Sequence, residues 1–213
     1  MSSREPRHSH EPGERWVERG TDIERTVFFS DAVFAIAITL LALEIRVPDV
    51  PDDPAALREA FLALGPRFFS FFISFWFVGT YWVAHHRVFH HISGYDRRLL
   101  IINLLFLMWI VLLPFSSSLL GEYGDQRGVV ILYAAHVGLA GLSLQWVWWY
   151  ASRYPHLMNR TEMDEREYRY SALGLSVPLV FLLSIGISFL SVPAAELSWF
   201  LAFLVRPLLH RLL

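Results

Sequence analysis

The residue most able to do chemistry is an aspartate inside a long apolar run. Thr26 to Val47 is hydrophobic except for Ser30, Asp31, Thr39, Glu44 and the terminal Arg46, and Pro48-Asp49-Val50-Pro51-Asp52-Asp53-Pro54 ends it. An ionisable group in such a segment costs several kcal/mol unless it is paired or hydrated. Arg25 precedes Asp31 by less than two helical turns, and the Ser30 hydroxyl can bond a neighbouring helix. Two chemistries follow from this spacing and both stay open. One is an interhelical polar network that fixes helix register; the other is a proton relay.

Farther along the same run, Ile36, Leu40, Leu43 and Val47 recur at helical spacing with Thr39 at the edge of the stripe. An apolar stripe of this kind serves a packed bundle core or the wall of a pore equally well. Glu44, with Asp49, Asp52 and Asp53, would concentrate cations at a mouth or form a solvated acidic loop. In Trp82-Val83-Ala84-His85-His86-Arg87-Val88-Phe89-His90-His91, His86 and His90 stand at i, i+4 spacing that suits a divalent metal, yet no HExxH pattern or cysteine supports one. The expectation is therefore no metal site. His136, inside another apolar run, is expected to bond a backbone carbonyl or a serine, and Ala134, Gly138 and Gly141 predict close helix approach.

These residues need elements to position them, and composition names the solvent. Of 213 residues, 54% are apolar and 18% charged, and the apolar ones fall in runs long enough to cross a hydrocarbon core of about 30 Å. The expected class is all-α, a polytopic membrane protein. Six spans are read at 26–47, 67–91, 98–120, 127–151, 170–190 and 194–212, with a short amphipathic segment at 55–64 and Pro114 inside the third span. One integral domain then occupies 21–213, and residues 1–20, rich in charge and carrying Pro6, Pro12 and Gly13, are expected to form a flexible tail without a cleaved signal peptide. An inside N-terminus places 14 of the 18 arginines on one side, so both termini are expected in the cytoplasm of a cell-membrane protein.

Absences narrow the function. The chain has no cysteine, which excludes disulfides and thiolate chemistry, and all 18 basic residues are arginine, which excludes a lysine Schiff base and a Walker-type loop. It has no GxSxG elbow, and nothing supports nucleic-acid binding or enzymatic activity. Gly121-Glu122-Tyr123-Gly124 is not the Thr-Val-Gly-Tyr-Gly filter of familiar potassium channels. No second half repeats the first, which disfavours a single-chain pseudo-symmetric transporter and suits a symmetric oligomer.

Arg25-Thr26-Val27-Phe28-Phe29-Ser30-Asp31 followed by Ala32-Val33-Phe34-Ala35-Ile36-Ala37-Ile38-Thr39-Leu40-Leu41 resembles the signature of the transmembrane protein 175 family of potassium channels. Trp82, His85, Arg87 and Phe89, then Asn103 and Leu113-Pro114, extend the likeness, and the length and single signature resemble its prokaryotic branch. The resemblance implies a homotetramer around a pore lined by four copies of the first helix. It implies Ile36 as the main constriction, with Thr39, Leu40 and Leu43 above it. It further implies that Arg25, Phe29, Ser30 and Asp31 pack against Trp82, His85 and Asn103 to hold that helix. Potassium would be the permeant species, no cofactor is implied, and the partners are other copies of the chain, membrane lipids and monovalent cations. The competing readings are a proton-coupled or solute transporter using Asp31 and the His85 cluster, and a non-transporting membrane scaffold.

Overall fold

The computed structural model describes residues 18–19, 21–49, 53–158 and 173–203. A two-residue strand, β1 (Glu18–Arg19), is followed by α1 (Thr21–Leu43), α2 (Pro54–Ala63) and α3 (Gly65–His90). Then come β2 (Gly94–Tyr95), α4 (Arg97–Tyr123), α5 (Arg127–Arg153), α6 (Ser176–Ser188) and α7 (Val192–Ser198). The architecture is helical, with one short antiparallel ladder pairing Glu18 with Tyr95 and Arg19 with Gly94.

Among the described residues four helices are long and apolar enough to cross a membrane: Ile23–Leu43 within α1, and α3, α4 and α5. At 27 residues, α4 and α5 each extend for roughly 40 Å. Some helix ends differ from the expected boundaries because local caps set them. Asp96, for example, accepts the Leu99 N–H at 2.8 Å and starts α4 one residue before the predicted span. Pro114 sits inside α4 without ending it. The first helix departs most from expectation. It starts at Thr21 and stops at Leu43 rather than Val47, where i→i+3 turns at Glu44 and Ile45 unwind it ahead of the prolines.

Of the expected flexible tail 1–20, Glu18 and Arg19 pair as a strand, and residues 1–17 and 20 lie outside the described residues. The fifth and sixth expected spans, 170–190 and 194–212, fall partly outside as well. Their described portions are the shorter apolar helices Ser176–Ser188 and Val192–Phe203.

α4 packs on α1, α3 and α5, and α5 packs in turn on α6, so α4 and α5 together form the spine of the bundle. The core is aromatic: Phe34, Phe77, Phe106, Phe181, Tyr133 and Trp199 are all but inaccessible. Trp199 donates to Ser184 Oγ at 2.8 Å, which satisfies its indole N–H inside that core. Close approach is enforced at the small residues. A Cβ on Gly141 would meet the Tyr81 hydroxyl at 2.8 Å, and one on Gly138 would meet Leu182 at 3.1 Å.

Candidate functional site

α1 is mostly apolar, and the bundle covers only one of its faces. Ser30, Phe34, Ala37 and Leu41, at i, i+4, i+7 and i+11, are buried against α3 and α4. The opposite face is open: Ile36 is 59% exposed, Leu40 39% and Leu43 71%, and Thr39 is exposed beside them. The Thr39 hydroxyl donates to the Ile36 carbonyl at 2.8 Å, so its proton is occupied and its oxygen lone pairs face outward.

The covered face is pinned by a polar network where Asp31 and Ser30 enter the bundle. Trp82 on α3 donates its indole N–H to Asp31 Oδ1 at 2.9 Å. Asn103 on α4 donates to Ser30 Oγ at 3.1 Å, and its carbonyl oxygen lies 3.0 Å from His85 Nε2. Because Asn103 presents an oxygen, His85 is the donor there and Nε2 carries the hydrogen. Ser30 passes its own proton to the Thr26 carbonyl at 2.9 Å. The His85 ring is fully buried, stacked on Phe89 at 4.3 Å and lying nearly parallel to Phe106 at 5.7 Å. Its Nδ1 has no hydrogen-bond partner among the described residues. The network joins three helices, its Ser30–Asn103–His85 part buried and its Asp31–Trp82 bond exposed.

The other predicted residues are placed differently. Arg25 and Phe29 line a cleft of about 380 Å³ beside Asn103, with Phe29 half exposed. Glu44 does not join the open stripe: its carboxylate turns to α4 and accepts from Ser118 at 2.7 Å. It borders a polar cleft of about 240 Å³ that also contains Arg46, Arg67 and Glu122, where Arg67 and Glu122 approach to 3.8 Å. Ser118 was not a sequence candidate, although the triplet Ser116-Ser117-Ser118 in an otherwise apolar run was the signal for it. His86 and His90 are exposed at the end of α3, and no group of three or more potential metal ligands gathers among the described residues. His136 bonds the Trp109 carbonyl at 2.8 Å.

All but the first turn of α1 lies within a stretch matched by a family model. Residues 25–114 match the model described as endosomal/lysosomal potassium channel TMEM175. A potassium channel of Streptomyces collinus is 36% identical over 174 residues, covering 79% of this chain and 84% of that protein. The chain belongs to the TMEM175 family. Its bacterial relatives place it in the prokaryotic part of that family, and as a TMEM175 protein it is a membrane protein and not an enzyme.

The crystal structure of a lysosomal potassium-selective channel TMEM175 homolog from Chamaesiphon minutus superposes with a TM-score of 0.75 at 30% identity, covering 86% of this chain and 96% of that one. A mouse TMEM175 named as an endosomal/lysosomal proton channel is 37% identical over 135 residues, or 59% of this chain and 27% of the mouse protein.

Proposed function

We propose that this chain is a potassium-permeable cation channel, a homotetramer whose central pore is lined by four copies of α1. The observation that carries the reading is the two-faced burial of α1. Its network face is fixed to α3 and α4, while Ile36, Thr39, Leu40 and Leu43 are left for a neighbouring copy or a pore. In this reading four Ile36 side chains form the constriction. A hydrophobic ring gates by dewetting and needs only a small helix rotation to widen. Thr39 offers outward lone pairs to a partly dehydrated ion, with Leu40 and Leu43 above it. Glu44 contributes negative charge to the outer mouth from the flank, through its seat on Ser118.

Six spans complete the subunit, the last two over 170–190 and 194–212, within one integral domain, 21–213. The arginine asymmetry supports a cytoplasmic position for both termini of a cell-membrane protein. Potassium is the permeant ion in the names of the bacterial relatives, which cover most of this chain.

The test is ion flux through purified protein in liposomes, comparing potassium, sodium and N-methyl-D-glucamine for wild type and Ile36→Asn. The reading expects potassium-preferring flux in the wild type, and larger, less selective flux in the variant because a polar ring wets the constriction. Folded protein that passes no ion, or a variant that only loses assembly, would sink it. The name of the mouse relative motivates a second arm with a pH-sensitive dye. Proton flux exceeding potassium flux at equal driving force would favour the proton reading through Asp31 and His85.

A further inference from the structure

We propose that Ser118 is a positioning residue for conduction: it holds the Glu44 carboxylate aside from the outer mouth and so sets the charge that an arriving cation meets. The proposal rests on the pore reading of α1 and deepens it.

Glu44 stands at the border between the two faces of the first helix. Leu40, four residues before it, and Leu43, next to it, belong to the open stripe, whereas Leu41, three residues before it, is buried. The Glu44 N–H already belongs to the closing i→i+3 turn, 3.4 Å from the Leu41 carbonyl. From that position a glutamate side chain can extend past the open stripe or fold back toward α4. It folds back: Ser118 Oγ donates to Glu44 Oε2 at 2.7 Å. Hydrogen bonds to an ionised acceptor are among the stronger kinds. Arg46 and Arg67 line the same cleft of about 240 Å³, so positive charge offsets the carboxylate where it rests.

The wall that carries Ser118 is firmly mounted. Its neighbour Ser117 is buried and donates to the Ser70 carbonyl on α3 at 3.1 Å. Ser74 donates to Ser117 Oγ at 2.9 Å, and the Tyr133 hydroxyl on α5 lies 2.9 Å from Ser74 Oγ. Because Ser74 spends its proton on Ser117, Tyr133 is the donor in that last bond. A chain of hydroxyls thus runs from α5 through α3 to α4 and ends one residue from Ser118. One turn farther on, a Cβ at Gly121 would meet Ser70 Oγ at 2.6 Å, so the two helices are in close contact there. Ser118 is therefore a fixed peg, and the Glu44 side chain is the part free to move. Removing the peg lets the carboxylate extend past Leu40 and Leu43, and negative charge nearer the axis raises the local concentration of cations.

The test is unitary potassium conductance of the full-length protein in planar bilayers, in symmetrical potassium chloride at about 10 mM and about 1 M, where charges are screened over roughly 30 Å and 3 Å. Ser118→Ala should raise conductance about threefold at the low concentration. At the high concentration variant and wild type should converge. Glu44→Gln/Ser118→Ala should match Glu44→Gln at both. Ser118→Cys, similar in shape but a weak donor, should follow Ser118→Ala and carries the test if the alanine variant fails to fold.

Equal or lower conductance in the variant at low salt would overturn the proposal. So would a change that is as large at about 1 M, which marks a rearranged pore rather than a moved charge, or one that survives in the Glu44→Gln background. A wild type that passes no current refutes the pore reading itself. A conducting wild type with an indifferent Ser118→Ala refutes the seat alone.

Discussion

Replacing Asn103 by leucine keeps the volume of the side chain and removes both ends of the link between α1 and α3. Asn103 is 2% exposed; it donates to Ser30 and accepts from His85. Its loss leaves the His85 Nε2–H unpaired in a ring whose Nδ1 already lacks a partner. A buried donor stripped of its acceptor costs about 1–3 kcal/mol. Ser30 suffers less, because its proton still reaches the Thr26 carbonyl; interhelical bonds of this kind average about 0.6 kcal/mol in membranes. Asn103→Leu should therefore destabilise the fold by about 2–4 kcal/mol, and Ser30→Ala by under about 1 kcal/mol. The asymmetry of hydrogen bonding makes a sharper statement. His85→Phe preserves the stack on Phe89 and Phe106 while abolishing the orphaned donor, so His85→Phe/Asn103→Leu should be more stable than Asn103→Leu alone. Unfolding by denaturant in detergent micelles, followed by tryptophan fluorescence, measures all four variants. A single Asn103→Leu change within about 0.5 kcal/mol of wild type, or a double variant less stable than the single, would refute the claim that this network holds α1.

Two further tests address packing and the start of α4. A Cβ at Gly121 would meet Ser70 Oγ at 2.6 Å and the Arg67 backbone at 3.1 Å, so Gly121→Ala should cost about 1–3 kcal/mol in the same unfolding assay; Gly186→Ala, with nothing within 4 Å, should be neutral or stabilising by about 0.5–1 kcal/mol. Tyr150→Phe removes the hydroxyl that serves the buried Asp96 carboxylate and should cost about 1–2 kcal/mol, read as faster amide exchange in the first turn of α4; unchanged protection there would count against Asp96 as the anchor of that turn.

The helices α1, α3, α4 and α5, each long and apolar enough to cross a membrane, were legible because apolar length in that solvent admits one backbone solution: every buried N–H and C=O must be satisfied within the segment. The Ser30-Asp31 pair was legible for the related reason that polar atoms in an apolar run need partners. Trp82, His85 and Asn103 were named with it only through the family resemblance; spacing alone does not connect residues that far apart in sequence. Helix ends were less legible, since Asp96 and the turns after Leu43 act through local geometry that a hydropathy pattern averages away.

The sequence by itself determined the solvent, the helices and the residues that demand partners. The open face of α1 was named from the sequence only through the family resemblance, since an apolar stripe at helical spacing serves a covered or an open face equally; tertiary structure decided that Ser30, Phe34, Ala37 and Leu41 are the covered side. It also decided that Glu44 turns to Ser118 and that Glu18 and Arg19 join a strand. Those pairings depend on chain segments remote in sequence arriving at one place, and neither propensity nor periodicity encodes such arrivals.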